Sequence, residues 1–521
     1  MENRFPDQFN VVDLFHAAAR KVPDKPAIIY RDKAVSFAGF ENSVNATATY
    51  FIQKGIRKGD RVLVFVPMSD DLYRVVLALF RIGAVAVFLD EWVSISRLNE
   101  CCRLAQCAAF IGTFKGRVLA WLLPALREIP LHLGLKYKLD FLSPELPATS
   151  RDDIALITFT TGSTGIPKAA IRTHGLLFEQ FQALQPLIDP VPESVSMPVL
   201  PIVLLINLGA GVTSVIADFN ARKPDSMKPE QIAAQIMKYK VDTLIASPFF
   251  VKQVARYLSG KDLHLNTLQK ILTGGAPVFP NEAEIYRSAF PAAAISIVYG
   301  STEAEPMSVI AADDLIASGM QGSMGLKVGK IESGATVRII RITEGVLAAA
   351  TEKELAGLEV EKGQIGEIIV SGKHVLRDYL HNPEALKRNK IFVGTECWHR
   401  TGDSGFLDEN GMLFLTGRCT SLIPTQNGEL SVFLFENRFQ CIEGVEIGTV
   451  MLLGSKLSAI IELNEPSQQE KVRMFVHSLP EGFQDILFVP KIPRDPRHNS
   501  KIDYEKLRTL LSRSMQKAGP K

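Results

Sequence analysis

Residues 154–168 constrain the fold of this chain more than any other stretch. Ile154 to Phe159 is an apolar, β-branched run that reads as a buried strand. It leads straight into Thr160, Thr161, Gly162, Ser163, Thr164 and Gly165, and then past Pro167 to Lys168. Two glycines let the backbone curl until successive N–H groups converge on an anion. The hydroxyls add donors and Lys168 adds positive charge, a combination suited to a polyphosphate. A polar turn between a strand and a helix is the plain alternative. The P-loop of nucleoside triphosphatases is excluded: it needs Gly-Lys followed by Ser or Thr, whereas here Pro167 precedes Lys168 and Ala169 follows it.

The chain around this loop alternates strand-like and helix-like segments. Phe37, Phe40, Val44, Ala48 and Phe51 fall on one helical face, and Arg61 to Val66 is a short apolar strand. Ser69 is placed to cap a helix running through Phe80, with Gly83 at its end, and Val85 to Leu89 is the next strand. Such alternation predicts an α/β protein with mostly parallel sheets layered with helices. At 521 residues the chain is too long for one core.

Composition narrows the function classes. With 46% hydrophobic and 22% charged residues the chain reads as globular, and a net charge of +2 gives no electrostatic reason for a nucleic-acid partner. The six cysteines form no CxxC pair, so neither zinc spacing nor a secreted disulfide framework is present, and a cytoplasmic location follows most simply. The start of the chain, with its early charges and Pro6, carries no signal-peptide pattern. Met197 to Ala217 is uncharged and long enough to span a bilayer, but Pro198, Pro201, Asn207, Gly209 and Gly211 favour a buried strand, turn and helix. Residues 114–138 are basic and apolar and hold Trp121. They read as a half-buried surface helix broken at Pro124 or Pro130, with peripheral contact to a membrane surface as the alternative.

Three further strand exits carry chemistry-bearing residues. Ile271 to Thr273 leads into Gly274, Gly275, Ala276 and Pro277; Ile295 to Val298 leads into Tyr299, Gly300, Ser301, Thr302 and Glu303; and His399-Arg400-Thr401-Gly402-Asp403 precedes Gly417-Arg418. Each is a turn when taken alone. Together and in this order, TTGSTGIPK, GGAP, YGSTE, RTGD and GR resemble the motifs of the adenylate-forming superfamily of acyl-CoA synthetases, luciferases and peptide-synthetase adenylation domains. The likeness runs along essentially the whole chain.

That resemblance implies activation of a carboxylate by ATP, giving acyl-AMP and pyrophosphate. It implies that the loop from Thr160 to Lys168 holds the phosphates and that Gly275, Ala276 and Pro277 lie against adenine. Tyr299 would stack on adenine beside Gly300 and Ser301, Thr302 would contact the α-phosphate, and Glu303 would help hold Mg²⁺. Asp403 would accept from the ribose hydroxyls and Arg418 would contact ribose or phosphate. Residues 1–416 would be the AMP-binding domain and residues 417–521 a small mobile α+β domain carrying the catalytic Lys501. Arg172 and His174, which follow the loop, are expected to have helix-start structural roles.

Two departures narrow the branch. After Arg418 the chain reads CTSLIPTQNG instead of the usual hinge and Ile-Lys-x-x-Gly loop, and Ser500-Lys501 replaces Gly-Lys. Both, together with the aliphatic segment 201–220, resemble olefin β-lactone synthetases. The resemblance then implies a fatty, β-hydroxylated acid whose own hydroxyl closes the ring. Transfer to CoA or to a carrier protein are the competing fates, and partner enzymes are compatible with each. A protein that binds nucleotide without turnover is the reading of another class; intact Thr302, Glu303, Asp403 and Lys501 argue against it.

Overall fold

The strand Arg61–Phe65 has the parallel neighbours Val85–Phe88 and Ala109–Gly112 on its two sides. This is the centre of a six-stranded sheet that continues through Leu131–Leu133 at one edge and through Ile154–Thr160 and Lys168–Thr173 at the other. The computed structural model describes residues 8–89, 95–137, 146–160, 168–220, 223–319, 325–425, 428–495 and 501–517. The helices form where the apolar spacing placed them. Phe37–Gln53 buries Phe37, Phe40, Val44 and Phe51. Asp70–Arg81 starts at Ser69, whose hydroxyl accepts from the Leu72 amide at 3.3 Å. Burying such phenylalanines contributes roughly 1.5–3 kcal/mol each against leaving them exposed.

A second, 14-stranded sheet builds the rest of the large domain. Its core strands Val195–Pro198, Thr243–Ala246, Lys270–Gly274 and Ala294–Ser301 run parallel. Antiparallel strands then extend it, from Ala304–Ala311 through Leu326–Ile331 and Met412–Arg418 to Glu396–Leu407. The segment 197–217 is the end of one strand, the helix Pro201–Ala210 and the strand Thr213–Val215. No helix among the described residues is long and apolar enough to cross a membrane.

Past Arg418 the chain leaves the large sheet. A three-stranded sheet (Val445–Leu453, Lys456–Leu463, Asp485–Phe488) carries the helices Val432–Gln440, Gln469–His477 and Tyr504–Lys517. Phe433 meets Phe279 edge-on at 5.8 Å, which seats this lobe on the large one. Arg256–Glu446 and Lys491–Asp225, at 3.4 and 3.3 Å, are surface pairs across the same seam and contribute little on their own.

One local reading of the sequence needs correction. The strand Ile154–Thr160 is followed after the loop by an antiparallel strand, Lys168–Thr173, and the helix begins only at His174. His174 therefore stands at a helix start as expected, but Arg172 lies in a strand whose alternation turns it toward the interior. Phe114–Leu122 is a partly buried surface helix, as expected. It breaks before Pro124, and its buried residues are Gly116 and Ala120, while Phe114, Val118, Trp121 and Leu122 are exposed.

Candidate active site

The C-terminal ends of the parallel strands open into one cavity of about 2820 Å³ between the two sheets and the small lobe. That is where ligands sit in open α/β sheets. Its polar end is built by two strand pairs. The hairpin of Ala294–Ser301 and Ala304–Ala311 turns at Thr302 and Glu303, with a register shift between Tyr299 and Ser301. Gly300 is required there, because a Cβ would meet Glu305 Cγ at 3.0 Å and the Ala304 carbonyl at 3.1 Å.

Alongside, Asp403 and Arg418 face each other across adjacent strands. Arg418 Nη1 donates to Asp403 Oδ1 at 2.6 Å and to the Thr401 carbonyl at 3.1 Å. Gly402 makes this approach by taking a φ of +69°. Tyr299 donates to Asp403 Oδ2 at 2.8 Å, so Asp403 is held from both sides with its remaining lone pairs available to a diol. Burial, with the Asp403 charge beside it, pushes the Tyr299 phenol well above its usual range and keeps it a donor.

Glu303 is clasped by a neighbouring loop: Leu376 N donates to its carbonyl at 2.7 Å and Tyr379 Oη to its Oε1 at 3.2 Å. Lys168 Nζ donates to Asn389 Oδ1 at 3.0 Å and lies 5.9 Å from the centre of the Tyr379 ring. Burial lowers the Lys168 ammonium below its usual range, and the Glu303 charge partly restores it. Lys390, below the same ring, donates to the Leu376 carbonyl, and its burial brings it down to about 8. Arg172 Nη1 donates to Thr158 Oγ1 at 2.6 Å and Nη2 to the Thr302 carbonyl at 2.8 Å, bracing the hairpin turn from the opposite sheet.

Lys501, distant in sequence, reaches the same cavity from the small lobe. Burial raises the Glu305 carboxyl, and the positive charges of Arg172 and Lys501 act against that rise. Gly275, Ala276 and Pro277 line the cavity wall next to Tyr299, and Gly275 has a φ of +86°. Ser301 lines it as well, its hydroxyl accepting from the Ala304 amide at 3.2 Å. Thr161, Gly162, Ser163, Thr164 and Gly165 lie outside the described residues. Thr160 is the last residue of its strand, paired with Lys168.

The other end of the cavity is apolar. Leu72, Val76, Leu184, Leu200 and Leu205 line it, with Tyr73 donating to the Pro201 carbonyl at 3.2 Å. Two polar groups stand where this surface approaches the Thr302 hairpin. Gln180 is buried and its amide oxygen has no hydrogen-bond partner among the described residues, and Glu305 brings a carboxyl to the cavity from the strand after the turn. The helix carrying Gln180 packs on the strand carrying Glu305.

Sequence patterns missed Arg172, Gln180, Glu305, Tyr379 and Lys390 as site residues. Strand alternation past Lys168 was the one available signal, and it points to Arg172. The others stand in no spacing that marks them.

No group of three or more His, Cys, Asp or Glu side chains among the described residues is arranged to hold a metal ion. A lone cavity-facing carboxylate such as Glu303 suits a cation that takes most of its ligands from phosphate and water, as Mg²⁺ does.

Residues 15–380 match the family described as AMP-binding enzyme. The olefin β-lactone synthetase of Stenotrophomonas maltophilia is 30% identical over 519 residues, covering 93% of each chain. That of Xanthomonas campestris is 28% identical, covering 91% of this chain and 90% of its own. Among solved structures, an amide bond synthetase from Marinactinospora thermotolerans superposes with a TM-score of 0.80 at 20% identity, over 96% of this chain and 99% of its own.

Proposed function

We propose, from the premise that this chain belongs to the AMP-binding enzyme family, that it activates a fatty β-hydroxy acid as the acyl-adenylate and then closes it to a β-lactone. The adenylate-forming chemistry follows from the family, and the substrate and the ring closure are the proposal. The observation that carries it is the cavity lining: charged and ribose-compatible groups on one part, aliphatic side chains on another, and the unpartnered amide oxygen of Gln180 on the helix packed against the Thr302 hairpin. An acid without the hydroxyl would leave the Gln180 oxygen unsatisfied, whereas a hydroxyl close to the carboxylate gives it the donor it lacks.

In this reading Asp403 and Arg418 receive the ribose, Tyr299 with Gly275, Ala276 and Pro277 receives the adenine, and Lys168 with the loop from Thr160 receives the phosphates. Glu303 holds Mg²⁺, which neutralises phosphate charge when bound. Arg172 fixes the Thr302 turn against which the α-phosphate rests. Lys501 supplies positive charge where the carboxylate oxygen and the α-phosphate join, an electrostatic role worth roughly two to three decades in rate. The substrate's β-hydroxyl oxygen then attacks the acyl carbon, the bond from that carbon to the AMP phosphate oxygen breaks, and the hydroxyl proton passes to the departing AMP phosphate. Rotation of residues 417–521 about Arg418 against residues 1–416 separates the two half-reactions. We place the reaction in the cytoplasm, where the six thiols stay reduced.

Mass spectrometry of the products from a 3-hydroxy fatty acid and ATP, with and without CoA, tests this. A species lighter than the acid by one water, formed equally without CoA, is expected. An acyl-CoA that appears only when CoA is added would replace the lactone reading with ligation, and hydrolysis of the adenylate alone would remove both.

A further inference from the structure

The helix Phe114–Leu122 is built inside out for a helix on a soluble domain. Amphipathic helices normally turn their large apolar stripe inward. Here the inward residues are Gly116 and Ala120, and a Cβ on Gly116 would meet Phe65 Cδ1 at 3.0 Å, so small residues are what let the helix lie close against the strand Arg61–Phe65. The large apolar residues recur at helical spacing on the outside. Phe114 is 74% exposed, Val118 46%, Trp121 70% and Leu122 60%. Scattered exposed leucines need no account, but an aromatic and aliphatic stripe on one short helix marks an interaction surface.

Two observations identify what the stripe meets. Lys115 and Arg117 are exposed on the same helix, and Arg127 and Lys136 follow it, against Glu128 alone, so the surface combines apolar anchors with positive charge. The same helix also forms part of the cavity wall: Thr113, Gly116 and Leu119 line the cavity whose far end is aliphatic. A protein partner would satisfy the first observation but gives no account of the second.

We infer that the Phe114–Leu122 face docks the enzyme on an anionic lipid surface, with Phe114, Trp121 and Leu122 entering the headgroup boundary and the cavity wall that the helix forms held against it. A fatty acid then passes from the bilayer into the cavity without crossing water. This rests on the fatty-acid reading for its purpose, but the docking itself stands on the helix. Binding of this kind scales with buried apolar area plus attraction to anionic headgroups and weakens with salt.

Co-sedimentation of the full chain with vesicles of equimolar phosphatidylglycerol and phosphatidylcholine tests it. The unmodified protein is expected in the pellet, and release by added salt is expected. Phe114→Ser combined with Trp121→Ser should lower the partition coefficient about tenfold or more while leaving pyrophosphate release with a short soluble acid unchanged. Lys115→Glu combined with Arg117→Glu should lower binding to anionic vesicles alone. Failure of the unmodified protein to sediment, or sedimentation of the serine variant at the same level, overturns the inference. A concentration-dependent dimer seen by light scattering, lost in the serine variant and without vesicle binding, would assign the face to a second copy and overturn it as well. Failure of the fatty-acid reading is separate: vesicle binding would persist while no fatty acid supported pyrophosphate release.

Discussion

The two ends of the central cavity are made by opposite strategies. The nucleotide end gathers its groups on strand exits and ties each one down: Asp403 between Tyr299 and Arg418, Glu303 to Tyr379, and Arg172 to the Thr302 turn. The other end is shaped by aliphatic side chains from several elements, and the Gln180 amide oxygen beside it is left without a partner. Preorganised charge is what an adenylation site needs at the phosphates, since donors that are already aimed need no reorganisation as charge shifts. Selectivity for an acyl chain needs volume and a few unsatisfied acceptors. The lesson is that hydrogen-bond satisfaction separates the two tasks within one cavity.

The largest expected effect is at the nucleotide end. Lys501→Ala should slow acyl-adenylate formation by roughly two to three decades, with the preference among acids unchanged, because one preorganised positive charge is lost. Single-turnover formation of AMP ester measures it, and an unaltered rate would remove Lys501 from the site.

Next in size is a stability cost of burying charge near the same end. Glu436 accepts from Thr449 at 3.1 Å and from Tyr504, yet burial raises its carboxyl to about 7. The folded protein holds this proton more tightly than the unfolded chain does. The stability is therefore full below the ordinary carboxylate range and is lost as pH rises through about 7. Glu436→Gln should be neutral at acidic pH and should stabilise the protein by about 3 kcal/mol well above neutrality. Denaturant melts at both extremes check this, and a gain at acidic pH alone would reverse the sign.

At the acyl end, Gln180→Leu or Glu305→Leu should reduce the preference for a 3-hydroxy acid over the plain acid of equal length about tenfold, the value of one hydrogen bond at this kind of acceptor. The ratio of the two kcat/KM values reads it. An equal loss on both acids would make these residues structural. Tyr299→Phe should have the smallest effect, raising the KM for ATP several-fold while kcat at saturation stays put, since it removes one of two restraints on Asp403. A fall in kcat with KM unchanged would mean that the tyrosine acts on the transition state instead.

The same contrast explains how much could be read from the sequence. Tyr299 to Glu303 and Arg400 to Asp403 are consecutive residues at strand exits, marked by glycines, so their gathering in one cavity was legible. The alternation of strands and capped helices, as at Ser69 and Phe37, made the α/β layering legible too. Gln180, Glu305, Tyr379 and Lys390 come from four separate segments, and only the packing of the helix on the strand or of the loop on the hairpin brings them to the cavity. Arg172 was obscured because a hydrophobic run after a polar loop does not reveal whether it continues as helix or returns as strand. For Phe114–Leu122, periodicity located the apolar stripe but not its direction. Which face turns inward is set by the close fit of Gly116 on Phe65, and that contact is absent from local pattern.

The measurement that goes most directly to the central claim is exchange of labelled pyrophosphate into ATP by the unmodified protein, with and without a 3-hydroxy fatty acid. One cavity that joins nucleotide to carboxylate predicts exchange that depends on the acid and ceases when the acid is withheld. Exchange at the same rate without acid, or none with any carboxylic acid across a range of chain lengths, would contradict it.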